Sequence, residues 1–217
     1  MAEPVLVLHG LWMHAPAMAW FARRLRMAGY DARTLGYFSV MEDTDHAVAR
    51  IRAALRARPG SHVVAHSMGG LLALRAIEGL PPGGVGRVVC LGTPLAGSRA
   101  ADGFSRRIRG GRRMIGRHLP LLLSGAGVLP PGIEVGEIAG CRPVGLGGIV
   151  AGFDDVHDGT VALSETRLPG LRDHCVLSTS HAGLMFSPEA VGECLHFLRE
   201  GCFTHADEAA GQDRAIA

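Results

Sequence analysis

Short apolar runs alternate with stretches of helical spacing along the first half of this chain, and that alternation restricts the fold more than any other feature. The runs are 4–8 (PVLVL), 30–38, 61–65 and 85–91 (VGRVVCL). Between them, 15–28, 44–57 and 69–79 carry apolar residues at helical spacing. Further strands are expected at 135–139, 147–152 and 175–178, and a last helix at 188–200 behind Ser187-Pro188. Strands that alternate with helices build a mostly parallel central sheet with helices on both faces, an α/β fold. Ligands of such sheets meet the loops at the carboxyl ends of the strands.

The 217 residues suit one domain, expected over 1–203, with a frayed polar tail at 204–217. Hydrophobic residues make up 47% and charged residues 19%, which excludes a disordered chain. A net charge of +2 gives no general signature of nucleic-acid binding. All 22 basic residues are arginine. The five cysteines have no paired spacing, so neither a disulfide framework nor a structural zinc site is expected. No Walker A, HExxH or paired CxxC sequence occurs, and no metal or cofactor is expected. The start has no basic n-region and no apolar run approaches membrane length, so the expectation is a cytoplasmic protein.

Three strand-end segments carry chemistry. Ala65-His66-Ser67-Met68-Gly69 lies between an apolar strand and a helix, the setting of a nucleophile elbow. Small residues at 65 and 69 relieve the crowding of such a turn, and Gly70 permits close helix packing. The bland alternative is a serine N-cap before an ordinary helix. Leu8-His9-Gly10-Leu11-Trp12 follows the first strand. An acyl-transfer site needs two backbone N–H donors on one oxygen. Met68, after the serine, and Leu11, after His-Gly, are the expected pair, with Trp12 and His66 on the substrate-binding wall. Otherwise His9 and Trp12 only pack beneath the loop. Asp154, Asp155 and Asp158 crowd one loop, and His181 comes 23 residues after Asp158. A serine hydroxyl needs a base, and the base needs a carboxylate to fix its tautomer. Asp158 is the expected carboxylate, with Asp154 and Asp155 open as substitutes.

VLVLHGL (5–11), VVAHSMGG (63–70), DGTV (158–161) and SHAGLMFSP (180–188) together resemble the α/β-hydrolase superfamily, and within it the small bacterial lipases and esterases. Alanine at position 65 departs from the general glycine of the elbow, and small bacterial lipases tolerate it. The resemblance implies Ser67 as nucleophile, Asp158 as acid and His181 as base, in the chain order of that fold, with Leu11 and Met68 as oxyanion donors. It implies an ester or other small acyl substrate. Thioester cleavage and acyl transfer use the same apparatus, and a non-catalytic hydrolase-fold binding protein is the rival.

Two segments are less defined. Leu91-Gly92-Thr93-Pro94-Leu95 is a turn expected to aim Leu95 at the acyl pocket, or a plain turn. Seven of the 22 arginines fall within 99–117, interleaved with Phe104, Ile108, Met114 and Ile115. This stretch, within 99–150, is either a cap with a mobile apolar flap at 119–133 and peripheral contact with anionic lipid or an acyl carrier, or a solvated basic face on a packed helix. Gly145-Leu146-Gly147-Gly148 lacks the following helix of a phosphate loop.

Overall fold

A computed structural model describes residues 2–145 and 151–204. Six strands form one sheet in the order β2-β1-β3-β4-β5-β6, and every neighbouring pair is parallel. They are β1 (Pro4–Leu8), β2 (Asp31–Leu35), β3 (Ser61–His66), β4 (Val85–Leu91), β5 (Val135–Gly140) and β6 (Asp173–Leu177). Of the strand expected at 147–152, residues 147–150 fall outside the described residues and 151–152 are not in a strand; most of the glycine cluster at 145–148 and the tail beyond Thr204 also fall outside them.

Successive side chains of each strand feed opposite layers. Leu6, Leu8, Val63, Ala65, Val88 and Cys90 pack with α2 (Thr44–Arg56) and α3 (Met68–Ile77). Val5, Val7, Val64, Val89 and Leu91 pack with α1 (Ala19–Met27) and, further along the chain, α7 (Pro188–Glu200). Helices therefore cover both faces, and the central strands read as continuous apolar runs.

Local signals explain the boundaries. The first helix enters as a 3₁₀ turn over Ala15–Met18, with Pro16 in its opening turn, before α1 takes over. Gly29 leaves it at φ +98°, a conformation that favours glycine. Asp43 caps α2 by accepting a hydrogen bond from the Asp45 N–H at 3.0 Å. Ser187 caps α7 at the Ala190 N–H, 3.0 Å, with Pro188 at the first helical position. β2 is an edge strand and shorter than the run 30–38 suggested, since Gly36 ends it.

The middle segment folds into α4 (Arg99–Arg107), α5 (Gly111–Ile115) and α6 (Leu119–Ser124). Leu119, Leu121, Leu122 and Leu129 are buried in the α2–α3 layer. These four leucines anchor the stretch 119–133 to the core, while Leu123 and Val128 are exposed, and Ala126 N–H is bonded to Leu95 O at 2.8 Å. Leu119, Leu121, Leu122 and Leu129 thus belong to the core and not to an exposed apolar flap.

Candidate active site

The carboxyl ends of β1, β3 and β4 open into three adjoining turns. Ser67 follows β3 with φ 56° and ψ −128°. A side-chain-bearing residue in that region is strained by about 1–3 kcal/mol, and surrounding contacts must hold it there. Here Ser67 N–H donates to Leu91 O at 2.9 Å, and the Thr93 hydroxyl donates to Ser67 O at 3.0 Å.

Close approach in these turns depends on missing side chains. A Cβ on Gly69 would lie 2.5 Å from His9 O, and one on Gly70 2.2 Å from Thr93 Oγ1. A Cβ on Gly10 would lie 3.0 Å from Ser67 Cβ. Glycine at 10, 69 and 70 therefore lets the β1 and β4 turns close on the serine. The Tyr37 hydroxyl donates to His9 O, and the His9 ring stacks on Tyr37 with centroids 4.1 Å apart. His9 Nδ1–H donates to Gly10 O at 2.9 Å, and burial holds its pKa below the usual histidine value.

His181 follows β6, and its Nδ1–H donates to Asp158 Oδ2 at 2.6 Å. Asp158 is buried; its Oδ1 accepts from the Thr160 N–H at 2.9 Å and the Val161 N–H at 2.7 Å. Its backbone oxygen accepts from the His181 N–H at 2.9 Å. The imidazole is thus oriented from two directions, with Nε2 left uncommitted to the carboxylate. Asp155 makes different bonds. Its Oδ2 accepts from the Ser164 hydroxyl at 2.5 Å and its Oδ1 from Arg99 at 2.7 Å, and these partners hold its pKa low. Asp154 is exposed.

His66 joins the two halves of the site. Its Nε2–H donates to His181 O at 3.0 Å, and the two rings lie 4.6 Å apart. It is fully buried, which pushes its pKa down to about 3, so it is neutral.

Ser67, His66, His181, Leu11 and Trp12 line one cleft of about 330 Å³. Leu11 stands beside Gly10, and Met68 begins α3, where the first N–H groups of a helix lack internal partners. Leu95 does not reach the cleft. Its side chain is fully buried in the core, and its backbone is fastened to Thr93 and Ala126, so Pro94 forms the wall instead. Ala100, Ala101, Phe104, Ile115 and Leu122 add apolar lining from α4, α5 and α6. Phe104 and Ile115 belong to the arginine-interleaved stretch that the sequence offered as a cap, whereas Ala100, Ala101 and Leu122 carried no signal of a cleft role.

Sequence reading also missed Glu137 and Thr93. Glu137 is fully buried on β5, and its Oε1 accepts from the Thr93 N–H at 2.9 Å. Burial raises its pKa well above the usual carboxyl range. A glutamate inside the otherwise apolar run VGEIAG was the available signal. Among the described residues, no group of three His, Cys, Asp or Glu side chains is placed to hold a metal ion.

No family model matches the chain, and no curated protein matches it. Solved structures do. The lipase BlEst2 of Bacillus licheniformis, in its mature form, superposes with a TM-score of 0.72 at 21% identity, covering 91% of each chain. Phospholipase PlaB of Legionella pneumophila superposes with a TM-score of 0.57 at 14% identity, over 76% of this chain and 44% of that one. Lipase B of Aspergillus fumigatus gives 0.58 at 14% identity, over 91% of this chain and 52% of the other. The chain has the α/β-hydrolase fold, and it resembles hydrolytic enzymes of that fold at low identity.

Proposed function

We propose that this chain is a serine hydrolase of carboxylic esters. The observation that carries the reading is the buried Asp158–His181 pair, 2.6 Å apart, whose histidine lines the same cleft as a serine at φ 56°.

In this reading, Ser67 Oγ attacks the ester carbonyl carbon while His181 Nε2 takes the hydroxyl proton. Asp158 stabilises the imidazolium that forms. The carbonyl oxygen becomes an oxyanion, held by the Met68 and Leu11 N–H groups. The tetrahedral intermediate collapses, the C–O bond to the alcohol breaks, and His181 returns its proton to the departing alkoxide. Water, deprotonated by His181, then attacks the acyl-enzyme, and the carboxylic acid leaves as Ser67 regains its proton. The apolar walls of Phe104, Ile115 and Leu122 suit the acyl chain.

A fluorophosphonate probe tests the reading, because it reacts with an activated serine. Wild type is expected to be labelled and Ser67→Ala to remain unlabelled. A folded wild type that resists the probe would point to a binding protein with this fold.

A further inference from the structure

We infer that the arginine-rich rim of the cleft is a docking surface for an anionic lipid surface. The inference deepens the ester-hydrolase reading by naming where the ester is presented, and it rests on that reading only for its catalytic consequence.

Residues 99–117 contain seven arginines and one aspartate, a local net charge of +6 in a chain whose total is +2. Three of the arginines have carboxylate partners: Arg99 with Asp155 and Glu165, Arg106 with Asp102, and Arg117 with Asp43. Arg109, Arg112 and Arg113 are exposed, and among the described residues none of them has a carboxylate within ion-pair distance. Their planar forks match phosphate oxygens.

Apolar side chains protrude among them. Ile108 is 37% exposed, Met114 50% and Trp12 55%. The exposure of Trp12 is held in place: its backbone sits at φ 59°, its Nε1–H donates to Met114 O at 2.9 Å, and its ring lies 5.3 Å from that of Phe104. Trp12 and Phe104 also line the cleft beside Ser67. Arg113 and Met114 directly precede Ile115, which lines the cleft, whereas Arg112 faces a neighbouring hollow with Asp43 and Arg117, so the positive charge and the fixed apolar side chains share the α4–α5 segment that borders the cleft.

Cationic side chains interleaved with tryptophan and aliphatic side chains suit the boundary between headgroups and acyl chains. An acidic carrier protein would satisfy the arginines and leave Ile108, Met114 and Trp12 against a polar surface. A bilayer with anionic headgroups satisfies both, and it brings acyl esters to the cleft.

Co-sedimentation of the full chain as Ser67→Ala, which leaves the lipid intact, tests this. The probes are vesicles of phosphatidylcholine alone and of phosphatidylcholine mixed with phosphatidylglycerol. Binding to the mixed vesicles only is expected. Raising salt from about 0.1 to about 1 M shortens the screening length from about 10 to about 3 Å and should release the protein. Each arginine near such a surface is worth roughly fivefold in partitioning. The triple variant Arg109→Glu, Arg112→Glu, Arg113→Glu should therefore bind at least about a hundredfold more weakly. In the wild-type background that triple change should leave hydrolysis of the soluble ester p-nitrophenyl acetate unaltered, which also reports folding. Equal binding to both vesicles, binding indifferent to the triple reversal, no binding at low salt, or capture of an acidic carrier protein in preference to vesicles would each overturn the inference. Vesicle binding without any ester hydrolysis by wild type would leave the docking surface standing and remove the catalytic reading.

Discussion

Asp155 and Asp158 lie three positions apart, and the sequence does not show which one is buried. The structure gives them separate partners: the Ser164 hydroxyl and Arg99 for Asp155, His181 and two backbone N–H groups for Asp158. Asparagine at 158 removes the negative charge opposite the imidazolium and lets the amide favour the wrong imidazole tautomer. Asp158→Asn is expected to lower kcat by roughly a thousandfold or more with little change in KM. Asp155→Asn weakens a partly exposed ion pair, worth less than about 1 kcal/mol, and should leave kcat within about threefold of wild type. Steady-state kinetics on p-nitrophenyl butyrate separate the two, and equal losses would reassign the acid. The tight turn at Ser67 and the close backbone approach at Gly10 were legible because a short motif marked each. It was illegible at Leu95, where the turn was readable but its outward residue was Pro94.

At the scale of elements, the start of α3 and the turn after β4 act as one unit. Thr93 donates its hydroxyl to Ser67 O, its N–H is held by Glu137 on β5, and its side chain fills the space left by the absent Cβ of Gly70. Gly70→Ala would bring a methyl within 2.2 Å of Thr93 Oγ1. Overpacking of this kind costs about 1–3 kcal/mol, and here it also pushes on the backbone that holds Ser67. Chemical denaturation of Gly70→Ala, Thr93→Ala and the double variant should show a coupling of about 1 kcal/mol or more, since Thr93→Ala removes both atoms nearest the new methyl. Strict additivity would mean that the two elements are not braced in this way. The sequence disclosed the strands and long helices because burial on one or both faces imposes a period on them. It did not disclose α5 and α6, of five and six residues, whose apolar side chains serve cleft and core at once.

Across the whole molecule, the buried titratable groups set opposite limits on stability. Burial lowers the pKa values of His9, His62 and His118, and takes His66 to about 3. An unfolded chain protonates its histidines near pH 6.5. Between that pH and about 3, unfolding takes up a proton at His66 that the native state refuses. Stability therefore falls as pH drops through this window, by about 1.4 kcal/mol per pH unit for that group, and the other three histidines steepen the fall. Glu137 acts in the reverse direction. Burial makes its native carboxyl hold the proton to higher pH than the unfolded chain, which ionises it above about pH 4.3, so its contribution is lost as pH rises towards the native value. Glu137→Gln keeps an acceptor for the Thr93 N–H and cannot ionise. Urea unfolding should find that its stability relative to wild type rises from about pH 5 to about pH 8. The acid limb, set by the histidines, should be the same in both proteins. Parallel curves across the whole range would mean that Glu137 is already ionised in the folded state, and that the turn holding Ser67 is fastened by a charge instead of by a neutral acid.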